Sequence, residues 1–227
     1  MHPDRREFVQ RMAMGAVAFG SVPFSLEAAH RVVGDMNATT PPDWDLSWVK
    51  RVTGKHKTVF DVPEVDSGYG VWRASIFPKQ YMEVLGAKAS DITSVLVLRH
   101  NGIALAMQQS FWDKYKLGEL KKAMHPITQQ GTTRNPVLLT SSRPDDALPA
   151  DFDALALPKF LERGGIALAC NLALQDCIEL IKKDGVSDEE ARKQAIAALI
   201  PGVVLQPSGV FAVIRAQEAG CNYIRAS

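Results

Sequence analysis

Two largely apolar runs, residues 93–98 and 166–170, constrain this chain more than any other feature. Each is bounded by polar residues, and neither alternates polar with apolar as a strand with one wet face would. Such runs fit strands covered on both faces. A first strand is expected over 57–62, closed by Pro63, and others over 137–139, 203–205 and 223–224. Helical patterns fall between them, over 76–85, 104–117, 151–163, 171–183 and 209–219. A further helix opens at Ser187 with Glu190 three residues on, a capping-box signal, and stops at Pro201-Gly202. Strands alternating with helices predict an α/β fold, a three-layer α/β/α sandwich with a mostly parallel central sheet. In open sheets of this kind, functional groups gather at the carboxyl ends of strands. Three of the expected ends carry residues capable of chemistry: His100, Cys170 and Ser208.

The chain has 227 residues, 46% hydrophobic and 22% charged, enough to bury one core without disulfides or structural metal. A formal net charge of +1 and the absence of a basic, aromatic-interleaved run argue against nucleic-acid binding. The N-terminus reads as an address. Arg5-Arg6 precedes Phe8 and Val9, then a weakly apolar stretch with Gly15 and Gly20, then small residues at Ala28-Ala29. That order is the order of a signal peptide and is similar to the twin-arginine type. The apolar stretch is short for a membrane span, so membrane contact is expected only if the signal is retained. The organisation expected is a signal over 1–29, a polar arm over 30–56 containing Pro41-Pro42, and an α/β domain over 57–227. Trp44 and Trp48 suggest that the end of the arm packs onto something, and a protein partner could be recruited there.

Cys170 is the leading candidate for chemistry. It stands where an apolar strand gives way to a helix beginning at Asn171 or Leu172. Amide groups and the helix dipole at that position stabilise thiolate over thiol. A thiolate can attack a sulfane sulfur and carry it as a persulfide. The plain alternative is a buried thiol that fills space. Cys177, inside the same helix, reads as core packing, and Cys221, near the C-terminus and open to being accessible, reads as a resolving thiol, an intermolecular partner or a bystander. His100 could move a proton. Arg99 and Asn101 beside it, and the amides around Ser208 and Gly209 at a strand-to-helix turn, are candidates for binding an anion. Arg134-Asn135 could line the same edge. No GxSxG elbow, phosphate loop or dinucleotide fingerprint is present. His30, His56 and His125 make no metal-binding pair, so no cofactor and no metal are expected.

At these residues the chain resembles the DsrE/DsrF-like (YchN-like) family. The run 95–102 resembles that family's strand-plus-His segment, and 166–171 resembles its strand ending in a functional Cys. The stretch 207–210, then Arg215-Ala216-Gln217-Glu218-Ala219-Gly220, then Tyr223-Ile224, is similar to the ending of many small members. The resemblance implies a compact three-layer fold, homo-oligomers (trimers or hexamers), and sulfur relay through a persulfide on the Cys matched by Cys170. The export signal, the arm and a long insertion over 118–136 depart from the small cytoplasmic members. The expectation is a periplasmic protein that accepts or carries sulfane sulfur from a small sulfur-containing anion or persulfide donor, a sulfurtransferase-like role. The alternative is a non-catalytic oligomeric binding or accessory subunit of a larger periplasmic or membrane-associated assembly. A haem or metal site using His100 with Cys170 or Met107 is a third reading.

Overall fold

The computed structural model describes residues 44–226. The expected signal over 1–29 and the arm as far as residue 43 lie outside the described residues. Five strands form the sheet: β1 (His56–Val62), β2 (Ile92–Leu98), β3 (Ile166–Cys170), β4 (Val204–Gln206) and β5 (Asn222–Arg225). All four pairings are parallel, in the order β4-β3-β2-β1-β5. Helices pack on both faces, so the fold is a three-layer α/β/α sandwich with an all-parallel central sheet.

The handedness of crossovers explains which helix lies where. The chain steps from β1 to β2, β3 and β4 in one direction, and right-handed connections then place the intervening helices on one face. These are α1 (Tyr69–Leu85), α2 (Gln109–Tyr115), α3 (Leu117–Leu120), α4 (Leu157–Glu162), α5 (Asn171–Lys182) and α6 (Asp188–Ala197). The return from β4 to β5, at the far edge, runs in the opposite direction. Its connection, α7 (Gly209–Glu218), therefore lies on the opposite face.

The two faces are unequal. The larger core packs Leu96, Leu98, Ala167 and Ala169 against Val71, Leu157, Leu174 and Ile178. The smaller packs Val59, Val95, Val97, Ile166 and Leu168 against Ala212 and Ala216 of α7, with Trp48 completing it. Trp48 is 1% exposed. It stands on a 3-10 turn, Ser47–Arg51, which Arg51 ties to the carbonyls of Gly164 and Gly165 at 3.2 Å each. Trp48 does pack onto the sheet, and the segment from Asp45 to Val52 stands against the smaller core.

Several local expectations are corrected. Residues 104–117 do not form one helix: a 3-10 segment, His100–Ala106, precedes α2. Ile103 to Met107 are buried on every side, and the backbone of Met107 and Gln108 pairs with Leu199 and Ala198, so the run is a core crossing rather than one helical face. Residues 137–139 make no strand. Asn135 accepts from Val137 N at 3.2 Å and starts a 3-10 turn, Pro136–Leu138. The helix expected over 151–163 breaks into a 3-10 turn, Ala150–Leu155, and α4, because Pro158 forces the preceding backbone extended and can enter a helix only in its first turn. Conversely, α1 starts at Tyr69, earlier than the expected residue 76.

Candidate functional site

Residues two apart on a strand share a face. Val59 and Asp61, Val97 and Arg99, Leu168 and Cys170, and Val204 and Gln206 therefore face the α7 side. Register brings the last three level. The β2–β3 ladder ends at Leu98↔Ala169, Arg99 follows with its N–H donating to Val62 O at 3.2 Å, and Cys170 pairs with Gln206. Each strand thus delivers a polar side chain to one face, mostly at its carboxyl end. The row is Tyr223, Asp61, Arg99, Cys170 and Gln206.

The middle of that row is an ion pair. Arg99 Nε and Nη2 donate to Asp61 Oδ1 and Oδ2 at 2.6 and 2.8 Å, and Tyr223 OH donates to Oδ2 at 2.8 Å. Asp61 is 2% exposed. A buried carboxylate is tolerated when donors of this kind replace its water, and the bidentate fork is the strong form. The hydrogen bond to Asp61 holds the Arg99 guanidinium above its ordinary value. Burial opposes this, and the charges of Asp61, Tyr223 and Cys170 add to the rise. Asp61 likewise raises the Tyr223 phenol, since a hydrogen bond to a carboxylate favours the phenol over the phenolate.

Gly209 seats this arrangement under α7. A Cβ there would stand 2.5 Å from Arg99 Cβ and 2.6 Å from its Cδ. Only glycine lets the helix start pack on the arginine stem. Ser208 caps that helix, accepting from Phe211 N at 3.0 Å.

Cys170 is itself a cap. Its Sγ accepts from Ala173 N at 3.4 Å, at the N-terminus of α5, and the residue is 6% exposed. The helix does begin at Asn171, and its first turn does point an amide at the sulfur. Two buried carbonyl oxygens flank the site, Gln206 Oε1 on the paired strand and Asn171 Oδ1 next in the chain. Neither has a hydrogen-bond partner among the described residues. The Gln206 amide is anchored from its other side, donating to Asp45 O and Leu205 O at 2.9 Å each. Burying a polar atom without a partner is costly.

The structure does not gather all the expected residues here. Arg99, Cys170 and Gly209 share the α7 face. His100 is exposed, in the left-handed region at φ 50°, and its ring bonds no other described residue. Asn101 serves other partners: it donates to Glu64 Oε2 at 3.0 Å and accepts from Lys121 Nζ at 2.8 Å. Arg134 is spent on Asp146 at 2.9 and 3.1 Å, and Asn135 is buried, donating to the carbonyls of Leu105 and Met107. Cys177 is buried as expected, and burial pushes its thiol up to about 12. Cys221, expected to be accessible, is only 6% exposed, and burial pushes its thiol up to about 11. Among the described residues, no three His, Cys, Asp or Glu side chains converge in a way that could hold a metal ion.

Asp61, Tyr223 and Gln206 are additions that sequence reading missed. A signal existed for the first: Asp61 is a charge inside an otherwise apolar strand, Val59-Phe60-Asp61-Val62, and a charge there needs a partner.

No family model and no curated protein matches the chain. Among solved structures, it is similar to a protein of unknown function, MTH1491 from Methanobacterium thermoautotrophicum. The likeness covers 75% of this chain and 98% of that one, at 14% identity and a TM-score of 0.39.

Proposed function

We propose that this chain is a DsrE/DsrF-like sulfur-handling protein, exported to the periplasm by the twin-arginine route, in which Cys170 accepts and carries sulfane sulfur. The observation that carries the reading is the seat of the Cys170 sulfur, which accepts an amide at the N-terminus of α5. The start of α5 and the Arg99 guanidinium on the adjoining strand both place positive potential at that seat. With thiosulfate as donor, the thiol loses its proton to water. The thiolate then attacks the outer sulfur, the S–S bond of thiosulfate breaks, and sulfite leaves with the bonding pair. Cys170 keeps the sulfur as a persulfide anion, so atoms and charge balance. Arg99 and the free amides opening α7 at Gly209 and Val210 would hold the anionic donor.

Mass spectrometry of the protein after thiosulfate or sulfide-plus-oxidant treatment tests this. The expected result is one added sulfur on Cys170, absent in Cys170→Ala. An unmodified Cys170 under conditions that label a free peptide thiol overturns it.

A non-catalytic oligomeric subunit is the second reading. Val210 and Ile214 on α7, and Tyr223 and Ile224 on the edge strand β5, are exposed and apolar, a surface of the kind that oligomers cover. A defined oligomer that holds a stable protein partner and takes no sulfur would favour that reading.

A further inference from the structure

On the other face of the sheet, at the same end, lies a groove of about 480 Å³ that sulfur transfer at Cys170 does not use. Its volume is within the ordinary range for small-molecule sites, roughly 300–1,000 Å³. Cys177, Ile103, Leu117 and Leu180 line its apolar part, and Lys121 and Asn101 supply its central polar atoms. We infer that this groove binds a small monoanion with an apolar body, of the medium-chain carboxylate class, with Lys121 receiving the charge.

Three observations carry this. Lys121 is withdrawn from water, its side chain 16% exposed, yet its ammonium has one close partner, Asn101 Oδ1 at 2.8 Å. Asp176 Oδ2 forms an ion pair with it at 3.7 Å, too long for a hydrogen bond. An ammonium has three donors, so this one keeps N–H groups for a ligand. Second, the lysine is held in place. Asn101 Nδ2 donates to Glu64 Oε2 at 3.0 Å. A carboxylate can only accept and an ammonium can only donate, so the Asn101 amide has one possible orientation. Its oxygen fixes the ammonium over the groove.

The third observation is charge and floor. The lining holds three lysines, Lys121, Lys122 and Lys183, against two acids, Asp176 and Glu179, which leaves an excess of one positive charge. Both acids are exposed at the rim, whereas Lys121 is covered. The floor beside it is uncharged, since the Cys177 thiol is held protonated by burial. One shielded cation above an apolar floor suits a carboxylate with a hydrocarbon tail. A phosphate dianion would find too few donors, and an amine would be repelled.

The experiment is a titration of the full chain with hexanoate, 1-hexanol and hexylamine, followed by amide chemical shifts. Hexanoate is expected to saturate at about 1 mM or below, shifting amides of the groove, with hexanol about tenfold weaker or more and hexylamine silent. Lys121→Met is expected to weaken hexanoate about tenfold and leave hexanol unchanged, while Lys121→Arg retains hexanoate. If Lys121→Met does not fold, Asn101→Asp serves instead: its carboxylate would neutralise Lys121 and abolish the preference for hexanoate over hexanol. Equal binding of hexanoate and hexanol, no saturable binding of hexanoate, or undiminished hexanoate binding in a folded Lys121→Met or Asn101→Asp protein would overturn the inference.

Discussion

Cys170 and Cys177 stand about two turns apart on α5, and they meet opposite surroundings. Cys170 is at the first turn, where amides have no intrahelical partner, and it faces the row that contains Arg99 and Gln206. Cys177 is in the helix interior, where every amide is spent, and it faces hydrocarbon, so its thiol is pushed up to about 12. Both are buried by area. What differs is the donors each sulfur meets, and burial alone therefore says little about a thiol's chemistry.

The largest contrast to be expected is in alkylation. At pH 9, only about one Cys177 in a thousand is ionised in the folded protein, given its value near 12. Iodoacetamide followed by peptide mass spectrometry should label Cys170 well before Cys177, whose thiol stays protonated in the folded protein. Equal rates for the two in native protein would break the comparison. The same shift has a stability consequence. The unfolded thiol ionises near its ordinary value of about 9 while the folded one stays protonated, so stability falls as pH rises from 9 toward 12. A Cys177→Ala protein should show a flatter decline across that window in urea melts.

Next in size is Asp61→Asn. It removes the charge that faces Arg99 and weakens two charge-assisted hydrogen bonds of a guanidinium whose side chain is 32% exposed, at a cost of about 2 kcal/mol. A lowered urea midpoint at unchanged slope would show it, and the same variant should slow Cys170 alkylation once Arg99 is no longer held beside it. A midpoint within error of the wild type would mean that the ion pair is an ornament of this edge and no organiser of it.

Tyr223→Phe should have the smallest effect, about 1 kcal/mol or less, since it removes one hydrogen bond to a carboxylate that keeps two others. A spectrophotometric titration sharpens the point. Two tyrosines, Tyr115 and Tyr223, are expected to ionise above the usual phenol range, and one of the two should vanish from the curve in Tyr223→Phe and return toward the ordinary value in Asp61→Asn.

Much of this was legible before any coordinates. The apolar runs ending at Leu98 and Cys170 marked two buried strands, and Ser208-Gly209 marked a strand-to-helix turn, because a strand buried on both faces has no other composition open to it. Asn101 was misplaced for a local reason. A left-handed residue at His100 and the 3-10 turn after it rotate the chain away from the α7 face, and Gly102 then passes so near Val62 O that a Cβ would sit 2.2 Å from it. The strand expected over 137–139 failed because three apolar residues cannot distinguish a strand from a buried turn.

Local chemistry is what the sequence by itself determined: which stretches must be buried, the helix starts marked by Ser187 and Ser208, and that the sulfur of Cys170 would sit at a helix start. Those properties depend on neighbours within a few residues, and the chain carries them in order. The tertiary structure decided which side chains meet across strands. Asp61, Arg99 and Tyr223 come together only because β5 returns to pair with β1, and Asn101 reaches Lys121 only because the chain folds back over the opposite face. Sheet order and register are cooperative outcomes of packing the whole core, and no window of sequence contains them.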